Sequence, residues 1–168
     1  MSSAETEFVR FATVAAPRLR RTAYLLCHDW HFAQDLTQTV LSKSYVSWKK
    51  VSRSGNPESY CRAILMRVFL DHQRRQSSTE VTTTEFPESL RWQGSELRLT
   101  LLDALDQLPP RDRAIVVLRY WEDQTIEVTA SMLNLSAETV KKQSSRSLTR
   151  LRNLLQDEQL ILFADQDQ

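Results

Sequence analysis

Residues 125–152 read TIEVTASMLNLSAETVKKQSSRSLTRLR, which predicts a helix, a tight turn and a second, basic helix. Ile126, Ala130 and Leu133 recur at helical spacing, and Ala130 is small enough for a second helix to cross close by. Leu133-Asn134-Leu135 makes the turn, with Asn134 where the backbone needs a left-handed conformation that Asn tolerates. Ser136 suits the N-cap of the second helix, because its hydroxyl can accept from an unpaired amide of the first turn. Thr139 rather than Glu stands at the third helical position, so a reciprocal capping box is not expected. Val140, Ser144, Leu148, Leu151 and Leu155 line the inner face. Glu138, Lys141, Lys142, Ser145, Arg146 and Thr149 face outward. A helix placed in a DNA major groove has this outline. An ordinary solvated amphipathic helix can share it, so the rest of the chain must decide.

The composition is all-α. With two glycines and five prolines in 168 residues, few positions suit hairpins or glycine-rich phosphate loops. Aliphatic residues recur every three or four positions, and sustained period-two runs are missing. The net charge is +1, but it is unevenly placed: residues 1–75 carry 12 Lys or Arg against 6 Asp or Glu, while 153–168 carry 4 acidic side chains and no basic one. A basic amino-terminal half and a basic helix after Ser136 fit a polyanionic partner, with acidic segments able to shield those faces in the free protein. Cys27 and Cys61 sit among apolar neighbours and read as reduced thiols. The start, MSSAETEFVRF, has no basic n-region or apolar core, and no run approaches the length of a membrane span. A cytoplasmic protein without membrane insertion is expected.

Along the chain, Phe8, Phe11, Ala15, Leu19 and Leu26 mark the buried stripe of a first helix, about 4–27, with Pro17 as a kink or new turn. A second helix, 31–50, carries Phe32, Leu36, Val40 and Tyr45 among its apolar positions. Residues 51–57, VSRSGNP, form a loop, and Pro57 opens a third helix to Arg75. Residues 76–96 are rich in Ser, Thr and Glu and read as a flexible linker. A leucine-rich helix over 97–108 stops at Pro109-Pro110, and 111–121 forms another before the helix-turn-helix. The expected architecture is two small helical domains, 1–75 and 97–155, joined by that linker and followed by an acidic tail, 156–168. A tether lets two modules engage separated sites on one partner at raised effective concentration.

The order of these segments resembles the bacterial RNA polymerase sigma factors of the extracytoplasmic-function type. Residues 35–48, DLTQTVLSKSYVSW, resemble the family's polymerase-binding helix, with Asp35, Leu36 and Gln38 at its characteristic positions. The pair Gln38-Thr39, with Lys43, Tyr45 and Trp48, is similar to an actinobacterial branch. Residues 56–75, NPESYCRAILMRVFLDHQRR, resemble the helix that reads the −10 element, and LDALDQLPPRDRAIVVLRYWEDQT with the helix-turn-helix resembles the domain that reads the −35 element. The likeness spans about 5–155 and implies a non-enzymatic subunit without cofactor that brings core RNA polymerase to promoter DNA. It implies polymerase contacts from Asp35, Leu36, Gln38 and Thr39. For the −10 element and its single strand it implies Tyr45, Trp48, Arg53, Arg62, Arg67, Arg74 and Arg75, with Lys49 and Lys50 as further phosphate partners. For the −35 element it implies Glu138, Thr139, Lys141, Lys142, Ser145 and Arg146. An anti-sigma protein is a further partner of the kind such a subunit can have.

Three departures from the family pattern are Arg67, where many members have Asn, and Asn134 and Glu138, where many have Gly. A carboxylate at 138 can accept from cytosine N4 or repel phosphate. Tyr45 is expected in the core and Trp48 at least partly exposed, available for base stacking worth roughly 1–3 kcal/mol. Two other readings compete. One is a stand-alone helix-turn-helix regulator with an all-α sensor domain. The other is a small metal hydrolase built on His28, His31 and Asp35. Cys27, His28 and His31 form the one metal-like cluster, but a fourth ligand is lacking and the spacing along one helix end is awkward, so no metal is expected. Asp35 and Asp71 are too isolated for an acid–base pair, and neither a nucleophile elbow nor a P-loop is present.

Overall fold

The computed structural model describes residues 1–78 and 96–155, with only the backbone course given for 96–100. The expected acidic tail and most of the expected linker lie outside the described residues. The chain divides into two compact units, each helical, with no strand among the described residues.

The first unit holds α1 (Ser3–Cys27), α2 (Trp30–Val46), α3 (Trp48–Arg53) and α4 (Pro57–Ser77). The boundaries follow local chemistry. The Ser2 hydroxyl accepts from Glu5 N–H while Ser2 N–H donates to the Glu5 carboxylate, a reciprocal capping box. α1 runs on through Pro17 and ends at His28, whose left-handed backbone (φ 57°) closes the last turn. Asp29 caps α2 by accepting from Phe32 N–H at 3.1 Å. Ser47 breaks the expected second helix in two, so α3 claims Val51–Arg53 from the expected loop. The remaining turn passes through Gly55 at φ 77°, a conformation that glycine adopts without a Cβ penalty. Asn56 then caps α4 and Pro57 takes its first position.

α1 packs along α2 and α4. Ala15, Leu19, Ala23 and Leu26 meet a core completed by Ala33, Leu36, Val40, Val51, Cys61, Ile64, Leu65, Met66 and Phe69. Ala23 and Ala33 are fully enclosed, and their small side chains permit close helix approach.

The second unit holds α5 (Glu96–Asp106), α6 (Pro110–Val116), α7 (Ile126–Leu133) and α8 (Ala137–Leu155). α6 continues into a π-helical turn, Val117–Trp121, where a single α-helix over 111–121 is expected. Its exit is fixed by Gln124 N–H donating to Leu118 C=O and by Arg119 donating to the Gln124 carbonyl at 2.6 Å. Arg113 is buried and donates to the carbonyls of Leu105, Asp106 and Leu108 at 2.9, 3.1 and 2.9 Å. It thereby satisfies the orphan acceptors at the end of α5. Ile115, Ala130 and Val140 form the core beneath the helix-turn-helix, with Ile126, Leu133 and Leu135 packed against it.

Candidate nucleic-acid interface

The turn between α7 and α8 is built from the residues that predict it. Asn134 sits at φ 54°, ψ 47°, and Leu135 N–H donates to Ala130 C=O at 2.9 Å. Ser136 Oγ accepts from Thr139 N–H at 3.1 Å and lies 2.7 Å from Thr139 Oγ1, so Thr139 reinforces the cap where Glu would have made a box. With Val140, Ser144, Ser147, Leu148 and Leu151 buried, the opposite face is left to Glu138, Lys141, Lys142, Ser145 and Arg146, all exposed. Thr139 is half-buried, with its hydroxyl committed to the cap. Glu138 and Lys142, one turn apart, form an ion pair at 3.1 Å.

In the first unit, α2 presents Asp35, Gln38 and Thr39 to solvent, whereas Leu36 is 2 % exposed and belongs to the core. Leu36 anchors the helix and offers no surface to a partner. Thr39 Oγ1 donates to the Asp35 backbone carbonyl at 2.9 Å, so that bond does not engage the carboxylate of the exposed Asp35.

The expected split between Tyr45 and Trp48 is reversed. Trp48 is 5 % exposed, edge-on to Phe8 at 5.2 Å and tilted against Phe11 at 5.1 Å. Tyr45 is 45 % exposed, with one side of its ring against Phe8 at 5.0 Å and its hydroxyl donating to Glu5 at 3.4 Å. The reason is the break at Ser47, because the phase of α2 does not carry into α3 and Trp48 turns inward. Tyr45 is therefore the ring with a face available for stacking. Phe8, Phe11 and Glu5, which support this pair from α1, have no signal in the local sequence that assigns them to it.

The cations also separate. Lys49, Lys50, Arg53, Arg67, Arg74 and Arg75 are exposed. Arg74 is paired with Asp71. Arg62 is only 17 % exposed in its side chain and lies 3.5 Å from Glu58, which also meets Arg18 at 3.4 Å. Its guanidinium is committed within the unit, which weakens the expectation that it holds phosphate. Cys27 donates to the Asp29 carbonyl at 3.1 Å. Burial pushes the Cys61 thiol up from its ordinary value, while its hydrogen bond with Ser44 pulls the other way. Among the described residues no three His, Cys, Asp or Glu side chains cluster to hold a metal, and His28, His31 and Asp35 are all among those residues. No helix there is long and apolar enough to cross a membrane.

A helix-turn-helix with a basic outer face, in one chain with a four-helix unit that exposes polar side chains on α2 and cations on α3 and α4, has the features of a DNA-binding protein of two modules. Residues 13–79 match the family model for Sigma-70 region 2, and residues 104–153 match that for Sigma-70, region 4. The RNA polymerase sigma-E factor of Streptomyces coelicolor is 36% identical over 152 residues, which cover 89% of this chain and 86% of that protein. The RNA polymerase sigma factor SigV of Bacillus subtilis is 31% identical over 143 residues, covering 83% and 86%. The sigma factor RpoE, solved in complex with the anti-sigma factor NepR from Bartonella quintana, shares the fold at TM-score 0.75 and 21% identity, over 90% of this chain and 98% of that one. The chain belongs to the sigma-70 family, as a sigma factor of the extracytoplasmic-function type.

Proposed function

We propose that this sigma factor docks on core RNA polymerase through the exposed side of α2 (Asp35, Gln38 and Thr39) and reads promoter DNA with both units. Sigma factors are initiation factors and not enzymes, so the residues here bind and position. Unit boundaries near 75 and 97, with a linker between and an acidic tail after 155, give each module its own site on the promoter. Lys49, Lys50, Arg53, Arg67 and Arg75 supply phosphate contacts in the first unit, and Tyr45 offers a ring face to an unstacked base. Glu138, Lys141, Lys142, Ser145 and Arg146 approach the −35 element from α8, with Thr139 holding the cap of that helix. The protein works in the cytoplasm, where polymerase and promoter are, and an anti-sigma protein is a further partner.

The observation that carries this reading is the exposed, hydrogen-bond-capped basic face of α8 in the same chain as a region 2 module. Purified chain added to core polymerase is expected to direct transcription from a promoter library. A stand-alone regulator would instead bind duplex DNA tightly without polymerase and leave polymerase inert. Arg146→Ala is expected to weaken promoter binding by roughly 1–3 kcal/mol if it contacts a base, with no change in folding because the side chain is exposed. Unchanged binding by that variant would remove Arg146 from the interface.

Arg67→Asn tests the −10 role of α4. A guanidinium stacks on a base or bonds a guanine edge in ways an amide does not. The variant is expected to shift the preferred −10 bases and leave −35 preference alone. If Arg67 touches phosphate only, activity falls evenly across promoters and its salt dependence lessens. A change confined to −35 preference would mean that α4 does not read the −10 element.

A further inference from the structure

We propose that Glu138 and Lys142 together form a reading head for a C·G base pair in the upstream element, with Glu138 selecting the cytosine. The proposal rests on the reading of α8 as the helix that enters the major groove. Residues in the first turns of such a helix reach base edges, and Glu138 is the second residue of α8.

Two facts bear on this carboxylate. It stands on the outer face among Lys141, Lys142, Ser145 and Arg146, opposite the buried Val140 and Ser144, where any DNA-facing acid suffers phosphate repulsion unless it finds a donor. It is also held 3.1 Å from Lys142, with both side chains well exposed (77 % and 62 %). The pair thus shows the solvent an acceptor beside a donor.

That arrangement complements one base-pair edge. An ionised carboxylate only accepts hydrogen bonds, and an ammonium only donates. In the major groove cytosine offers the N4 donor, and guanine across the pair offers the O6 and N7 acceptors. Adenine also has a donor, N6, but its N7 acceptor lies beside it and repels a carboxylate. Thymine offers an acceptor and a methyl group, and guanine acceptors alone, so neither satisfies Glu138. The ion pair also lowers the desolvation cost of bringing the carboxylate near phosphates, because Lys142 accompanies it. Glycine at this position would read nothing, so an acid here narrows the set of promoters the chain accepts.

The test is transcription by the full chain with core polymerase from a library randomised across both promoter elements, comparing wild type, Glu138→Gln and Glu138→Ala. Wild type is expected to favour cytosine at one upstream position by about five- to tenfold. Gln, which both accepts and donates, is expected to move that preference to adenine, whose N6 and N7 it can bond together. Ala is expected to weaken selection there to what Lys142 draws from the guanine alone, and to leave the other upstream positions and the −10 profile as they were. Base profiles identical in all three proteins would overturn the proposal, as would a wild type with no cytosine preference. If wild type directs no transcription, the initiation role fails. Selection of duplex DNA by the free chain, wild type against Glu138→Gln, then decides on Glu138 by the same shift from cytosine to adenine.

Discussion

Asp35→Lys is expected to abolish association with core RNA polymerase, with at least a hundredfold loss in a pull-down or titration. The side chain is exposed on α2, and the neighbouring Thr39 hydroxyl bonds the Asp35 backbone carbonyl, not its carboxylate. The substitution therefore reverses one charge on the proposed docking face without disturbing the fold. A lysine brought against a partner surface that pairs with a carboxylate meets like charge and costs several kcal/mol, whereas a surface substitution away from buried partners changes stability by about 0.5 kcal/mol or less. The thermal midpoint should stay near wild type, and binding of α8 to duplex DNA should persist. Wild-type retention of polymerase by the variant would count against α2 as the docking helix. Leu36→Ala supplies the contrast, since Leu36 is core: that variant should lose stability along with any loss of polymerase.

Much of this architecture is legible in the sequence because it is written in local chemistry. Asn134, Ser136 and Pro57 each announce a helix end through a backbone preference that needs no tertiary partner, and each does so in the structure. The inner face of α8 follows from spacing alone. Phase is harder. Tyr45 and Trp48 are read in opposite senses because one serine, at 47, ends α2 and restarts the helical count in α3. Ser is not a strong breaker by propensity, and the packing of Phe8 and Phe11 from α1 decides which ring turns inward. The cations show the same limit: Arg62 and Arg67 look alike in sequence, yet only Arg62 meets Glu58 from one turn earlier on the partly buried side of α4. The π-helical turn after α6 is likewise invisible to a period-3.6 reading, since it adds one residue per hydrogen bond.

Arg113 shows what long-range packing adds, and its removal carries the largest expected cost to stability. In the stretch PPRDRAIVV it passes for one more surface charge. Its side chain is in fact 8 % exposed, with Asp106 only 3.8 Å away and half open to water, so its main partners are the three backbone carbonyls that end α5 and lead into α6. Hydrogen bonds from a charged donor contribute about 1.5–3 kcal/mol each, and buried acceptors left without a donor cost a further 1–3. Because the three bonds share one side chain they do not add, and Arg113→Ala is expected to cost about 3–5 kcal/mol. A unit of this size is stable by only a few kcal/mol. The melting midpoint of the second unit should fall by roughly 12 °C or more. Arg113→Lys should be intermediate, because a compact ammonium keeps the charge but cannot span three carbonyls. The consequence reaches DNA through Ile115, two residues on, which packs with Ala130 and Val140 under the turn that aims α8. Upstream-element binding should therefore fail as the second unit melts, while polymerase binding through α2 persists. Hydrogen exchange on the full-length variant reads this directly: protection should drop in α5–α8 and remain in α1–α4. Uniform protection in both units, with a midpoint within about 2 °C of wild type, would show that water replaces the guanidinium at little cost.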